Sequence, residues 1–324
     1  MNARKKSIPN TSVNSESRMN HDCFYPSIWL GSFISKSAFD SQSKHLNELF
    51  GVLDTIDDCM LPSRHPTTLR AYCAACGTVT DMQLTWHYCA TNAAGSVHPA
   101  WTETAACQVC GLNSRMRAVI DYLRRLLEGE QGANYKRVYC AERTTPSYPV
   151  IERLFDKVTG SEYLGDDKKL GQKSLHYKGY PRLVRHEDLT QLSFAAKSFD
   201  LVVTQDVFEH IPNYHQAFRE CARVLDDGGM LVFTIPFFFD QQVTRVRASL
   251  RADGQVEHHL PPEYHGNPVS NEGSLCFQNF GWDIIDDLNN NGFIDARASL
   301  YWGPWQGHLG LPFFVFSAIK KRPA

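Results

Sequence analysis

No stretch of this sequence is apolar for long enough to cross a membrane as a helix. A spanning helix needs about 18 or more consecutive apolar residues, and the 324-residue chain contains no such run. The polar N-terminus also lacks the apolar segment of a secretory signal. We therefore expect residues 1–20 to be a disordered tail, the protein to be cytoplasmic, and no membrane to be among its partners.

The chain also lacks an excess of either charge. Its 33 Lys and Arg are balanced by 35 Asp and Glu, which gives a net charge of −2. Enzymes that hold long nucleic acids usually carry a basic field, so this balance disfavours nucleic acid as a partner. No internal repeat occurs, and 43% hydrophobic residues suffice for a globular core.

Residues 199–236 have the pattern of a strand, a helix and a second strand. The β-branched run Phe199–Thr204 predicts a buried strand, apolar residues at helical spacing follow, and Met230–Ile235 predicts another buried strand. Such units form right-handed parallel crossovers. Ligands bind at the carboxyl ends of their strands, so Gln205 and Asp206 are expected at a site.

Acidic residues follow an earlier predicted strand at a characteristic distance. Arg137–Ala141 predicts the first strand of the sheet, and Glu142 comes directly after it. Glu162 lies 20 positions beyond Glu142. An acid about 20 residues after the first strand is the expected acceptor for ribose hydroxyls in nucleotide-binding units. Asp166 and Asp167 are close enough in sequence to take this role instead.

Together these motifs resemble the class I S-adenosylmethionine-dependent methyltransferases, of the type 11-like kind. The resemblance is carried by Phe199-Asp200-Leu201-Val202-Val203, by the turn Glu209-His210-Ile211-Pro212, and by the Gly228-Gly229 pair. It implies an α/β fold with a Rossmann-like seven-stranded mixed sheet, whose last two strands form an antiparallel hairpin. It also implies that S-adenosylmethionine is the methyl donor.

The resemblance further implies a set of cofactor-binding residues. In that family an acid followed by an apolar residue after the third strand, here Asp188-Leu189, meets the adenine. The family's glycine-rich loop is replaced here by residues 141–145, so we expect the Thr145 hydroxyl and backbone N–H groups to contact the methionine part. The expected cofactor-binding residues are Ala141, Glu142, Thr145, Glu162, Tyr163, Asp188, Leu189 and Gln205.

Four of the 10 cysteines form two CxxC pairs, Cys73 with Cys76 and Cys107 with Cys110. Each pair can present two thiolates from one tight turn, and two such turns make a closed tetrahedral zinc site. Four thiolates leave no open position, so we expect a structural zinc ion. The alternatives are disulfides and scattered free cysteines, and a reducing cytoplasm favours the zinc site over disulfides.

The cysteine spacing and the methyltransferase motifs divide the chain. Residues 69–112 are predicted to be a small N-terminal zinc-ribbon-like module, and residues 113–324 the methyltransferase domain. Residues 21–68 are predicted to be an N-terminal helical segment. Residues 237–278 form an insertion, rich in histidine and proline, that we expect to cap the substrate.

Three residues are candidates for catalysis. Tyr264 and His265 lie in the insertion, where they would orient or deprotonate a nucleophile. His210 lies in the turn after the fourth strand, nearer the cofactor. For each of the three, a structural role in holding its loop or turn is the alternative.

The sequence leaves three classes of function open. The leading one is O- or N-methylation of a small molecule, a sugar or a natural-product intermediate. The second is an RNA-modifying methyltransferase whose zinc ribbon docks nucleic acid, which would show salt-dependent binding. The third is a non-catalytic binding protein with a degenerate cofactor site. The charge balance disfavours the second class, and the acids Glu162 and Asp188 disfavour the third.

Overall fold

The computed structural model of the protein describes residues 29–60, 67–87, 89–91, 97–176, 182–267, 269 and 271–322. The tail predicted over residues 1–20 lies outside this part of the chain, as do parts of the segment predicted over residues 21–68. Within the described residues, no helix is both long enough and apolar enough to cross a membrane.

The elements follow one another along the chain in four groups. The N-terminal segment forms β1 (Trp29–Phe33), α1 (Lys36–Asp40) and α2 (Ser43–Met60). The cysteine module, residues 67–112, forms β2 (Thr67–Cys73), β3 (Thr78–Leu84), β4 (Cys89–Thr91), β5 (Val97–Pro99) and β6 (Ala106–Cys107). The first half of the large domain forms α3 (Ser114–Glu128), β7 (Arg137–Cys140), α4 (Tyr148–Leu154), β8 (Lys157–Gly160), β9 (Lys173–His176), β10 (Arg182–Arg185), β11 (Phe199–Gln205), α5 (Tyr214–Val224) and β12 (Leu225–Thr234). The remainder forms β13 (Arg245–Val246), β14 (Ala248–Leu250), β15 (Val256–His258), β16 (Tyr264–His265), β17 (Ser274–Leu275), β18 (Gln278–Asn279), α6 (Asp283–Asn290), β19 (Phe293–Gly303) and β20 (His308–Lys320).

The main sheet has seven strands in the order β1-β19-β20-β12-β11-β7-β8. Strands β8, β7, β11 and β12 run parallel, whereas β20 is antiparallel to β12, β19 to β20, and β1 to β19. Strands β19 and β20 form the antiparallel hairpin expected at the end of the chain. The predicted α/β fold with a Rossmann-like mixed sheet is confirmed.

The membership of the sheet differs from the expectation at both edges. Strand β10, the predicted third strand, pairs with β9, and among the described residues it joins the main sheet through a single parallel bridge between Glu162 and His186. At the other edge, Trp29–Phe33 forms a strand where a helix was predicted, and it pairs with β19. Pairing with β19 satisfies backbone groups that an open sheet edge would expose, a long-range gain that local composition does not show.

Both faces of the central strands are buried, which explains their nearly continuous apolar sequence. Along β11, Leu201 and Val203 point into one core, which includes residues of α3 and α4. Val202 points into the other, which includes Phe218 of α5 and Phe233 of β12. Because successive side chains of a strand alternate between faces, a strand covered on both sides must be apolar throughout.

The crossover helix α5 ends at Val224, before the Gly228-Gly229 pair. The backbone N–H of Leu225 still bonds to Cys221 O, so the last turn is closed without glycine. Gly228, at φ +80°, instead lies early in β12, close to the shift in pairing register between β11 and β12. Gly228 is therefore part of strand β12 and does not end helix α5.

The insertion predicted over residues 237–278 is built from short two-stranded ribbons. Strand β13 pairs with β18, β14 with β15, and β16 with β17. Several bonds attach it to the turn after β11, among them one of 2.7 Å from Phe277 N to Glu209 O and one of 2.8 Å from Gln278 Nε2 to Ile211 O. The insertion is thus fixed to the carboxyl edge of the main sheet.

The cysteine module packs directly on the large domain through a buried arginine. Arg117 of α3 is 0% exposed, and its guanidinium donates to Ala105 O at 3.1 Å in the module and to Gly307 O at 3.2 Å before β20. Trp101 lies against Gly310 of β20, where an added Cβ would stand 2.0 Å from the indole. Module and sheet therefore share one interface.

Candidate active site

A cavity of about 1430 Å³ lies at the carboxyl ends of β7, β8 and β11. Its floor is formed by the turns after these strands and after β10, and its walls by the insertion and the cysteine module. Every residue predicted to bind cofactor or to act in catalysis lines it: Ala141, Glu142, Thr145, Glu162, Tyr163, Asp188, Leu189, Gln205, His210, Tyr264 and His265.

The turn after β7 is held without a glycine-rich loop by the side chain of Glu142. Its Oε2 accepts a hydrogen bond of 2.7 Å from Gln205 N, which joins the ends of β7 and β11. Glu142 is only 5% exposed, and burial raises the pKa of its carboxyl well above the ordinary value. The Thr145 hydroxyl donates to Glu142 O at 3.3 Å, closing the turn.

Glu162 follows β8 and faces the same turn. Its Oε1 accepts from both the backbone N–H and the hydroxyl of Thr144, at 2.6 and 2.5 Å. Burial raises the pKa of Glu162 to about 7, although these hydrogen bonds act in the opposite direction. Of its sequence competitors, Asp166 also lines the cavity and accepts a bond from Tyr163, whereas Asp167 is not among the lining residues.

Asp188 and Leu189 follow β10 at the far end of the cavity. Asp188 Oδ1 accepts from the backbone N–H and the hydroxyl of Thr190, both at 2.7 Å. Leu189 is 6% exposed and contributes to the core as well as to the cavity. The acid is therefore held in place by its own turn, on the floor of the cavity.

A charged cluster lies on the wall formed by the cysteine module. Arg115 Nε lies 2.8 Å from Glu103 Oε1 and 2.9 Å from Asp206 Oδ2. Although burial favours the neutral guanidinium, the two carboxylates hold the pKa of Arg115 above its ordinary value. Asp206 adopts φ +53°, an uncommon conformation for a residue other than glycine, and accepts from the Thr234 hydroxyl at 2.8 Å.

A second cluster joins the turn after β11 to the insertion. Glu209 is 0% exposed, and its Oε1 lies 3.5 Å from His210 Nε2 and 3.6 Å from His265 Nδ1. The opposite nitrogens are hydrogen-bonded: His210 Nδ1 to Leu275 O at 2.9 Å, and His265 Nε2 to Glu263 Oε1 at 3.0 Å. Burial lowers the pKa of His210 to about 4, while Glu209 raises the pKa of His265 to about 9.

The four cysteines of the CxxC pairs converge below the wall of the cavity. Their Sγ atoms all lie within 4.8 Å of one another, with 3.7 Å between Cys73 and Cys110 and 3.8 Å between Cys76 and Cys107. None of the four forms a disulfide. Each pair ends in a glycine at positive φ, +70° at Gly77 and +75° at Gly111, whose N–H bonds back to the first cysteine of its pair.

Comparison with known proteins gives one family match. Residues 144–233 match a family model described as a methyltransferase domain, which spans β8 to β12 and most of the cavity floor. The chain carries an S-adenosylmethionine-dependent methyltransferase domain. The sheet order agrees with this assignment, and the predicted enzyme class is confirmed.

The methyltransferase domain is also similar to solved structures, at low identity. One is an S-adenosylmethionine-bound amino pentose methyltransferase, CalS10, from Micromonospora echinaspora, with 14% identity over 64% of this chain and 92% of that chain (TM-score 0.40). Another is an S-adenosylmethionine-dependent methyltransferase from Mesorhizobium loti, with 16% identity over 63% and 98% (TM-score 0.38). A third is the 1,6-didemethyltoxoflavin-N1-methyltransferase from Burkholderia thailandensis, with 14% identity over 64% and 79% (TM-score 0.38). At these scores they carry no conclusion about the substrate. No curated protein matches the chain.

Three charged side chains beside the cavity were not predicted from the sequence: Glu103, Arg115 and Glu209. Arg115 and Glu103 flank the second cysteine pair and meet Asp206 only through the fold. Glu209 was noted as part of a family turn, but its contact with His265 spans 56 residues of chain. The signal that was present in the sequence was Asp206 itself, at the carboxyl end of a predicted parallel strand.

Proposed function

We propose that the protein transfers the methyl group of S-adenosylmethionine to a hydroxyl or amine of a small molecule, such as a sugar or a natural-product intermediate. The observation that supports this most is the enclosure of the cavity between the sheet edge, the insertion and the cysteine module. Pockets for one small ligand measure about 300–1,000 Å³. A cavity of about 1430 Å³ accommodates the cofactor and a small acceptor together.

The charges around the cavity support a neutral or cationic acceptor rather than RNA. Among its lining residues, carboxylates outnumber guanidinium groups: Glu103, Glu142, Glu162, Asp166, Glu187, Asp188 and Asp206, against Arg115. Arg115 is already paired with two of these carboxylates. A phosphate backbone would be repelled by such a surface, whereas the hydroxyls or amines of a sugar would find acceptors.

The cofactor is proposed to lie along the floor of the cavity. Glu162 would accept from the ribose hydroxyls and Asp188 from the adenine amino group, with Leu189 against the ring. At the other end, Gln205 Nε2 is buried and has no hydrogen-bond partner among the described residues, although Gln205 lines the cavity. An unpaired buried donor is costly, and the carboxylate of the methionine part would satisfy it, with Thr145 beside it.

The acceptor is proposed to bind against His210, Tyr264 and His265. The sulfonium methyl is already electrophilic, so the protein must align a nucleophile with it and remove a proton. Tyr264, 59% exposed, forms the rim, while the two histidines are anchored below it by Leu275 O and Glu263. The cluster of Glu209, His210 and His265 would then take the acceptor's proton.

We further propose one structural zinc ion at Cys73, Cys76, Cys107 and Cys110. With zinc–sulfur bonds of about 2.3 Å, the sulfurs of a regular tetrahedron lie about 3.8 Å apart. The measured 3.7 and 3.8 Å, on opposite edges of the group, agree with this value. Disulfide sulfurs would lie about 2.05 Å apart. The ion would fix the module that forms one wall of the cavity.

Calorimetric titration with S-adenosylmethionine and S-adenosylhomocysteine tests the proposed function most directly. We expect binding of both, followed by methyl transfer to members of a panel of sugars and hydroxylated small molecules, detected by mass spectrometry. An absence of cofactor binding would instead indicate a non-catalytic protein. Methylation of RNA with steep salt dependence would indicate the RNA-modifying class.

Substitutions of the two cofactor acids are expected to weaken binding of S-adenosylhomocysteine. Glu162→Ala and Asp188→Ala each remove a charge-assisted hydrogen bond, a loss of roughly 1.5–3 kcal/mol, or about 10–150-fold in dissociation constant. Asp167→Ala, on the same loop but away from the cavity lining, is the matched control. If Asp166→Ala is the variant that weakens binding and Glu162→Ala leaves it unchanged, the ribose acceptor is Asp166.

The affinity for S-adenosylhomocysteine is expected to fall as the pH falls through about 7. The pKa of Glu162 is raised to about 7 in the free protein, and only the ionised carboxylate accepts from both ribose hydroxyls. Below that pH, binding must release the proton, which weakens it by up to about tenfold per pH unit. Calorimetric titrations from about pH 5.5 to about pH 8, on both sides of this pKa, test the expectation. Glu162→Gln should flatten the pH dependence of the affinity. An unchanged slope in that variant would assign the effect to another group.

A further inference from the structure

The Glu209 carboxylate is buried beside the cavity without the partners that a buried charge requires. The side chain is 0% exposed, and neither oxygen has a hydrogen-bond partner among the described residues. The histidine nitrogens that face Oε1 stand 3.5 and 3.6 Å away, longer than ordinary hydrogen bonds. A buried polar group left unpaired costs free energy, so such a site usually has an occupant.

Each of the two histidines turns one ring nitrogen towards this carboxylate and bonds an acceptor elsewhere through the other. His210 Nδ1 is 2.9 Å from Leu275 O, an acceptor only, so Nδ1 carries the proton and Nε2 of the neutral ring is a free lone pair. His265 Nε2 is 3.0 Å from Glu263 Oε1, so Nε2 carries a proton and Nδ1 is the nitrogen that faces Glu209. A proton on His265 Nδ1 or a metal ion can occupy the space beside the carboxylate, and a metal ion would displace that proton.

We propose that Glu209, His210 and His265 bind a divalent transition-metal ion at the cavity wall. Metal-bound histidines typically donate their outer N–H to a carboxylate or a backbone carbonyl, and both of these rings do so. With metal–ligand bonds of about 2.0–2.2 Å, neighbouring ligand atoms lie about 3.0–3.6 Å apart. The measured 3.5 and 3.6 Å fall in this range, and all three ligand atoms lie within 4.8 Å of one another.

Hydrogen bonds between the insertion and the turn after β11 hold these three ligands in place. The bonds from Phe277 N to Glu209 O and from Gln278 Nε2 to Ile211 O dock the insertion on the turn that carries Glu209 and His210. The first cysteine pair and the second lie in another part of the fold, so this would be a site separate from the zinc site. Imidazole and carboxylate ligands select ions such as Zn²⁺, Co²⁺, Fe²⁺ or Mn²⁺.

A neighbouring group of possible ligands, Glu263, His265 and Cys276, is less suited to a metal ion. Glu263 is already paired with Arg247 at 3.1 Å, and its side chain is 42% exposed. The Cys276 thiol donates to Gln278 O at 3.1 Å. With its charge balanced, Glu263 fits the role of the outer carboxylate that orients His265.

The proposed ion deepens the proposed function, and this part rests on it. His210 and His265 line the cavity, and three protein ligands leave coordination positions open towards it. With the ion bound, its three ligands could not also take the proton, so an acceptor hydroxyl on the ion would lose its proton to solvent instead. It would do so at lower pH, because a divalent ion lowers the pKa of a bound hydroxyl. The oxygen then forms a bond to the methyl carbon as the carbon–sulfur bond breaks, giving the methyl ether and S-adenosylhomocysteine.

The test uses Co²⁺ as the probe, on full-length protein that keeps its cysteine-bound metal. The protein is first dialysed against a mild chelator to empty the three-ligand site, and Co²⁺ binding is then followed by calorimetry and visible absorption. We expect about one Co²⁺ per chain, with the d–d bands of a nitrogen- and oxygen-bound ion rather than thiolate charge transfer. Glu209→Gln and His265→Ala should weaken binding at least about 100-fold, and Glu263→Gln about 10–100-fold.

The matched control is His258→Ala, which removes an exposed histidine of the same insertion and should leave Co²⁺ binding unchanged. Thermal unfolding shows whether each variant is folded, and His265→Ala, on the cavity side, answers the question if Glu209→Gln does not fold. An absence of Co²⁺ binding, or equal binding in all variants, would overturn the proposal. Co²⁺ binding without any methyl transfer would refute the proposed function and leave the metal site standing. Methyl transfer that does not change when the ion is removed would refute its catalytic role.

Discussion

Replacing His265 with alanine is expected to lower turnover by roughly 10²–10⁴-fold while the dissociation constant for S-adenosylhomocysteine changes by less than about twofold. The reason is its position: His265 lines the cavity from the insertion and contacts Glu209, the buried acid of the turn after β11. The proposed cofactor residues lie on the floor of the cavity, and among the described residues none of them forms a hydrogen bond or ion pair with His265. Single-turnover assays with an acceptor from the small-molecule panel, and calorimetry with S-adenosylhomocysteine, measure the two quantities.

Two variants make this result interpretable. His210→Ala should also lower turnover, because its Nε2 faces the same carboxylate, whereas His258→Ala, exposed in the same insertion, should have no effect. If His210→Ala abolishes turnover and His265→Ala is silent, the proton is removed in the turn after β11 and the insertion has no part in the chemistry. If both are silent, the enzyme works by proximity alone on an acceptor that is already nucleophilic, such as an amine.

The parts of the fold that local sequence encodes could be predicted. The run Phe199–Thr204 is apolar throughout because both faces of a parallel strand are buried, and that pattern identifies a strand without a structure. The acids Glu142, Glu162 and Asp188 could be placed at one edge of the sheet: Glu142 follows a predicted strand, Glu162 lies at the characteristic distance beyond it, and the family resemblance implies Asp188. Those predictions use sequence spacing and motifs alone, so they needed no knowledge of packing.

The features of the fold and site that could not be predicted depend on contacts between segments distant in sequence. Trp29–Phe33 is a strand because β19 offers it an unpaired edge more than 260 residues later, which no local pattern signals. Arg115 lies at the start of α3, and its meeting with Asp206 requires this helix to pack beside the carboxyl end of β11. The pairing of Glu209 with His265 likewise requires the insertion to fold back over the turn that carries Glu209. The sequence shows that such side chains are present, but it does not show which of them come into contact.

Protein purified without chelator is expected to contain about one zinc ion per chain at the cysteine module, and Cys107→Ser should lose both this ion and most of the soluble yield. A structural zinc site contributes about 10–16 kcal/mol to folding in small zinc-binding peptides at neutral pH. That is comparable to the whole stability of a domain, about 5–15 kcal/mol. Because Arg117 and Trp101 bind the module to the large domain, its loss would also expose apolar surface of that domain.

The conditions that release the metal distinguish the predicted four-cysteine zinc site from the proposed site at Glu209, His210 and His265. Zinc held by four thiolates should survive dialysis against a mild chelator and be released in step with modification of its cysteines by a thiol-specific reagent. Cys89→Ser is the matched control, because Cys89 is an exposed cysteine of the same module whose thiol donates to Trp86 O at 2.8 Å. A serine hydroxyl can keep that bond, so yield and zinc content should be unchanged. Protein that is folded and metal-free, with Cys107→Ser as stable as the parent, would show that the four thiols pack as a small core and that the wall of the cavity stands without a metal.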